Sequence, residues 1–149
     1  MKQQIIKQIK LNGYRVEEQN DLIFAYRDNA PGMLIKIDDS KIIINSHFNG
    51  NQLAKTDVNG LKSYINDLNG ASGVTCFYTG ESCNLEFAAC YFGTYDEYTF
   101  AQFIRFWEFD TINVLDNHSD SFKYLGSDEE VAMTFKDEYE SIDTHYAIA

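Results

Sequence analysis

Long apolar runs are missing from this chain. Nothing in its 149 residues approaches the roughly 18 consecutive apolar residues of a membrane-spanning helix. The first ten residues hold only short apolar pieces broken by Lys and Gln, so they do not read as a secretory signal. Positive charge is scarce too: 12 basic residues stand against 23 acidic ones, a formal −11, with no basic cluster to override the mean. Nucleic-acid phosphates and anionic lipid repel such a chain, which excludes both as partners. The ordinary use of the surplus is solubility. Cysteine is limited to Cys76, Cys83 and Cys90. That odd number, without CxxC or paired histidines, predicts no zinc site and no disulfide framework, but reduced thiols in a cytoplasmic protein.

Aromatic residues, by contrast, are abundant: ten Tyr and eleven Phe in a composition that is 44% hydrophobic. This is too apolar for disorder, and 149 residues suffice for one self-supporting core. Ile5, Ile6 and Ile9 lie at helical spacing before Gly13, predicting a helix over 2–12. A strand follows from Tyr14 through Arg27, then a turn around Pro31, the only proline, then strands over Met33–Ile37 and Lys41–Asn45. Thr56 or Asp57 caps a second helix, with Val58, Leu61, Ile65 and Leu68 on one face and Asn69-Gly70 at its end. Two strands, Val74–Thr79 and Cys83–Phe92, flank the turn Gly80-Glu81-Ser82. The second alternates Cys83, Leu85, Phe87, Ala89 and Tyr91 on one side, as a strand with one wet face does in an antiparallel sheet.

The third helix runs from a capping box at Thr94 and Glu97 to about Leu115. Phe100, Phe103, Ile104, Trp107, Val114 and Leu115 make its core face. Tyr98, Phe106, Phe109 and Ile112 occupy much of the rest, so the helix needs cover on more than one side. Part of that second stripe is the candidate partner-binding patch. Residues 119–149 hold eight of the acidic residues and two lysines. With a second capping box at Ser127 and Glu130 and apolar Val131, Phe135 and Ile142, they read as a peripheral acidic helix. The expected organisation is one α+β domain over 1–118 plus an extension over 119–149. An antiparallel sheet of about five strands carries helices mainly on one face, in the order α-β-β-β-α-β-β-α.

That order, with the segment from Leu61 to Leu115, resembles the bacterial YbjN family, whose fold is that of the type III secretion chaperones. The likeness rests on Tyr64-Ile65-Asn66-Asp67-Leu68-Asn69, the strand pair GVTCFYTGESCNLEFAACYFG and the helix opening Thr94-Tyr95-Asp96-Glu97. The resemblance implies protein binding through sheet and helix surfaces, and it supplies no active site.

No residue pattern supplies one either. A nucleophilic triad needs a base held beside Ser or Cys by a carboxylate, and neither His47, His118 nor His145 stands in such a pattern. Asp116–Asp120 spaces oxygens like the start of a calcium loop, but Ser121 and Ser127 occupy the positions that need Gly and Glu; it reads as a solvated helix exit. Glu81, Glu86 and Glu97 surround one hairpin as ordinary surface carboxylates. Gly70-Ala71-Ser72-Gly73 follows a helix instead of opening one, so it is no phosphate cradle. The expectation is a non-enzymatic, cofactor-free protein-binding module, chaperone-like, with a partner of basic surface and a tendency to homodimerise. Two alternatives stand beside it: an immunity-type inhibitor of a basic protein, and a small-ligand sensor or hydrolase using His47.

Overall fold

The structure, a computed structural model, describes residues 1–128. Six strands form one antiparallel sheet in the order β1-β2-β3-β4-β6-β5. They are β1 (Arg15–Gln19), β2 (Leu22–Tyr26), β3 (Met33–Ile37), β4 (Lys41–Phe48), β5 (Cys76–Tyr78) and β6 (Leu85–Phe92). The helices are α1 (Lys2–Leu11), α2 (Gln52–Thr56), α3 (Val58–Ala71), α4 (Glu97–Glu108), α5 (Leu115–Asn117) and α6 (Ser119–Leu125), with a π-helical turn over Phe109–Val114 between α4 and α5. The predicted α+β class with an antiparallel sheet is what the chain adopts.

The count of about five strands becomes six because the first predicted strand is a hairpin. Asn20 takes φ 58° and turns the chain, and Gln19 pairs with Leu22. Asparagine tolerates this left-handed conformation, so no glycine marked the turn. A second difference is α2, a short helix capped by the Asn51 side chain, which accepts the Ala54 N–H at 3.0 Å. Asp57 caps α3 by accepting the Gly60 N–H at 3.1 Å. At α4 the cap is Asp96, which accepts from the Thr99 amide and hydroxyl at 2.9 and 2.7 Å. The predicted box at Thr94 therefore lies outside the helix. Cys83, placed on β6 by the alternation, instead sits in the turn before it with φ 56°.

The pleat sends alternate residues to one side. Ile23, Ile35, Ile44 and Ala89 make one continuous buried row across four strands, and Phe77 and Phe87 pair in another. Against this side pack Ile5 and Ile9 of α1, Leu61, Ile65 and Leu68 of α3, and Phe100, Ile104 and Trp107 of α4. Phe87 is a hub, with the rings of Phe48, Phe77 and Trp107 centred 5.5–5.6 Å away. Burying each such side chain is worth roughly 1.5–3 kcal/mol, so this one-sided core dominates stability.

The boundary expected at residue 118 does not hold. Helix α6 is part of the core: Tyr124 is buried, stacks 5.7 Å from Tyr64, and donates its hydroxyl to Asp57 at 2.9 Å. Ser121 and Tyr64 share a 2.7 Å hydrogen bond. The Asn51 amide donates to the carbonyls of Lys123 and Gly126. The predicted second cap reaches Glu130, and with Val131, Phe135 and Ile142 it lies outside the described residues.

Candidate interaction surface

The opposite side of the sheet has no helix over it among the described residues. The register lines up Glu17, Phe24, Leu34 and Asn45 on that side, each from the next strand. Phe24, Leu34 and Asn45 remain only half-buried. With Tyr26 and His47 they line an open, mainly apolar groove of about 540 Å³. The Arg15 guanidinium stands 5.4 Å from the Tyr26 ring centroid. Tyr26 itself titrates above its ordinary value, first because its hydroxyl hydrogen-bonds Glu17. The signal for this surface was in β2. Leu22-Ile23-Phe24-Ala25-Tyr26 is apolar in both alternations, whereas the outer alternation of β6 opens on Glu86 before Ala88, Cys90 and Phe92.

The helical stripe is the second surface. On α4 the inward positions are Phe100, Phe103, Ile104 and Trp107, so the helical period leaves Tyr98 and Phe106 outside. Tyr98 is 74% exposed, Phe106 51% and Phe109 53%, while Ile112 is half-buried. The straight helix predicted to Leu115 is interrupted by the π-helical turn, and that turn carries Asp110 inward. This carboxylate is fully buried and accepts the N–H groups of Gly73, Val74 and Thr75 at 2.7, 2.8 and 3.0 Å. The turn after α3 therefore does present a cradle of amides, and the group filling it is the protein's own Asp110 side chain.

The histidines and thiols do not converge. His47 pairs with Glu86 across β4 and β6, while Cys76 and Cys90 lie opposite Ala88 and Ile43. Strand spacings put the backbones of these residues about 12 and 14 Å from that of His47, far beyond proton-transfer reach. Glu81 and Glu97 flank opposite ends of β6, and Glu86 faces the outer side, so these carboxylates do not meet. The Asp116–Asp120 segment is a helix junction instead of a solvated loop. His118 Nδ1 accepts the Asp120 N–H at 3.2 Å, its ring packs edge-on to Tyr64, and its Nε2 lies 3.8 Å from Asp67. Among the described residues no three His, Cys, Asp or Glu side chains group as metal ligands, and no helix is long and apolar enough to cross a membrane.

No protein-family model matches the sequence. No curated protein matches it either. Among solved structures it is similar to YbjN, a proposed transcription regulator from E. coli, with a TM-score of 0.65. The match spans 84% of this chain and 95% of that one at 14% identity. At that identity the likeness speaks for the fold alone: this chain has a YbjN-like fold.

Proposed function

We propose that the protein is a non-enzymatic, cytoplasmic adaptor that holds an apolar segment of another protein, in the manner of a chaperone. The observation that carries this reading is the outer sheet face, over which no helix lies among the described residues and where Phe24, Tyr26 and Leu34 floor a groove of about 540 Å³. Half-buried rings on such a face suit an extended or helical guest that fills the groove with alternate side chains. The net charge of −11 favours a guest carrying basic residues and makes encounter salt-sensitive. Tyr98, Phe106, Phe109 and Ile112 supply a second contact for a guest long enough to reach α4.

The test is capture from native extract at low and high salt, comparing the unaltered protein with Leu34→Asp and with a Tyr98→Ala/Phe106→Ala pair. A specific protein retained at low salt and lost with Leu34→Asp supports the groove. Loss with the α4 pair alone moves the site to the helix. If nothing protein-like is retained, and a small metabolite co-purifies until His47→Ala releases it, the small-ligand reading replaces this one.

A further inference from the structure

The two borders of the sheet are finished differently. At β5 the Asn69 side chain brackets Phe77: its Nδ2 donates to the Phe77 carbonyl at 2.8 Å, and its Oδ1 accepts the Phe77 N–H at 2.7 Å. The chain entering β5 is held by Asp110 on the amides of Gly73, Val74 and Thr75. No such bracket lies along β1 among the described residues. Which groups β1 leaves open follows from one bond. Asp38 donates its N–H to the Lys41 carbonyl at 2.9 Å, fixing that pair as hydrogen-bonded. Antiparallel ladders alternate, so the register gives Met33 and Ile35 to β2, Phe24 to β1, and Arg15, Glu17 and Gln19 to β2. Val16 and Glu18 then point their N–H and C=O groups off the sheet.

We propose that this border pairs with the same border of a second copy of the chain, antiparallel about a two-fold axis at Val16. In that register Val16 meets Val16 of the second copy as a hydrogen-bonded pair. Arg15 stands opposite Glu17 of the second copy, and Glu17 opposite its Arg15. These are the non-hydrogen-bonded positions, where side chains approach most closely and opposite charges attract. Moving the axis to Glu17 would set the two Glu17 carboxylates against each other, so charge selects one register. Arg15 is free to change partners: its contact with Asp28 is 3.8 Å long between side chains 72% and 94% exposed, the kind of surface pair that contributes little. Charges on a border strand ordinarily guard against pairing. Here their alternation opposes arbitrary strands and admits a copy of itself. The proposal shares Glu17 with the lining of the groove but needs no guest, and its readout, self-association of the pure chain, is separate from guest capture.

The test is sedimentation equilibrium of the full chain over a wide concentration range, with circular dichroism to confirm folding of each variant. A dimer is expected. Arg15→Glu and Glu17→Arg should each weaken it on the order of tenfold or more. The double exchange R15E/E17R, which restores opposite charges in reversed order, should recover it. Amide exchange at Val16 and Glu18 should slow as the dimer forms. A monomer at every concentration, a dimer indifferent to the single reversals, or a double variant no better than the singles would overturn the proposal.

Discussion

The carboxylate of Asp110 lies 2.7 Å from the backbone nitrogen of Gly73, a residue 37 positions earlier in the chain. With Val74 and Thr75 completing the set, one buried side chain joins the end of α3, the start of β5 and the turn after α4. Asp110→Ala strips the partner from these three amides at once. An unsatisfied buried donor costs about 1–3 kcal/mol, so a loss of roughly 3–5 kcal/mol in urea unfolding is expected. Asp110→Asn keeps one acceptor oxygen and should cost less. An Asp110→Ala protein as stable as the parent would contradict this account.

Trp107 is fully buried against Phe87, and its indole N–H has no hydrogen-bond partner among the described residues. Trp107→Ala should therefore cost about 3–5 kcal/mol through cavity formation. Trp107→Phe loses no hydrogen bond and should cost clearly less. Native Trp fluorescence should peak well to the blue of free indole, and a water-like maximum would count against the core described here.

A chain ending at Asn117 would lose helix α6, with the Tyr64–Ser121 bond, the Tyr124–Asp57 bond and both Asn51 amide bonds. It is expected to be several kcal/mol less stable and to bind a hydrophobic dye, since Tyr64 and its neighbours lose their cover. A chain ending at Asp128 keeps all of these contacts. Equal melting temperatures for the two would show α6 to be peripheral after all.

Alkaline stability should report on two phenols. Burial pushes Tyr14 up to about 12, helped by the nearby Glu108 carboxylate. Burial and the bond to Asp57 raise Tyr124 to about 12 as well. Each proton is held more tightly in the folded state, so the contribution is complete below the unfolded value near 10 and disappears as pH rises through about 12. Stability measured by urea should fall across that window, and phenolate absorbance should show a late-titrating class. Tyr124→Phe should shrink the drop. A flat profile from pH 9 to 12 would refute the assignment.

The reading of the sequence succeeded where periodicity carries the information. The alternation of Leu85, Phe87, Ala89 and Tyr91 and the helical spacing of Leu61, Ile65 and Leu68 both fell on the buried side. It failed where a single polar side chain decides the geometry. Asn20 turns the chain without glycine, Asp96 caps α4 in place of Thr94, and Asp110 fills the gap between Trp107 and Val114 in the apolar stripe. Helix α6 differs from its expectation for another reason. The acidity of 119–149 describes that segment as a whole, while α6 itself holds one Asp and one Lys and is attached through Tyr124, Ser121 and Asn51. Of the candidate interaction surface, Tyr98, Phe106, Phe109 and Ile112 are legible as a second stripe. The groove is legible only in part, in the two-sided apolarity of β2, because Phe24 and Leu34 come together through a register the sequence does not display.

The Asn69 bracket on Phe77 has a consequence for growth. A strand bordered by a side-chain amide offers no free rung there for another backbone to climb, so sheet addition on the β5 side is stopped where it would begin. Among the described residues, association through β1 about a two-fold axis would leave a β5 border bracketed at Phe77 at both outer ends. Such an assembly terminates at two. A chain this rich in β-branched and aromatic strands would then gain a closed particle, with growth at β5 opposed by that bracket. Removing the bracket with Asn69→Ala would reopen that end.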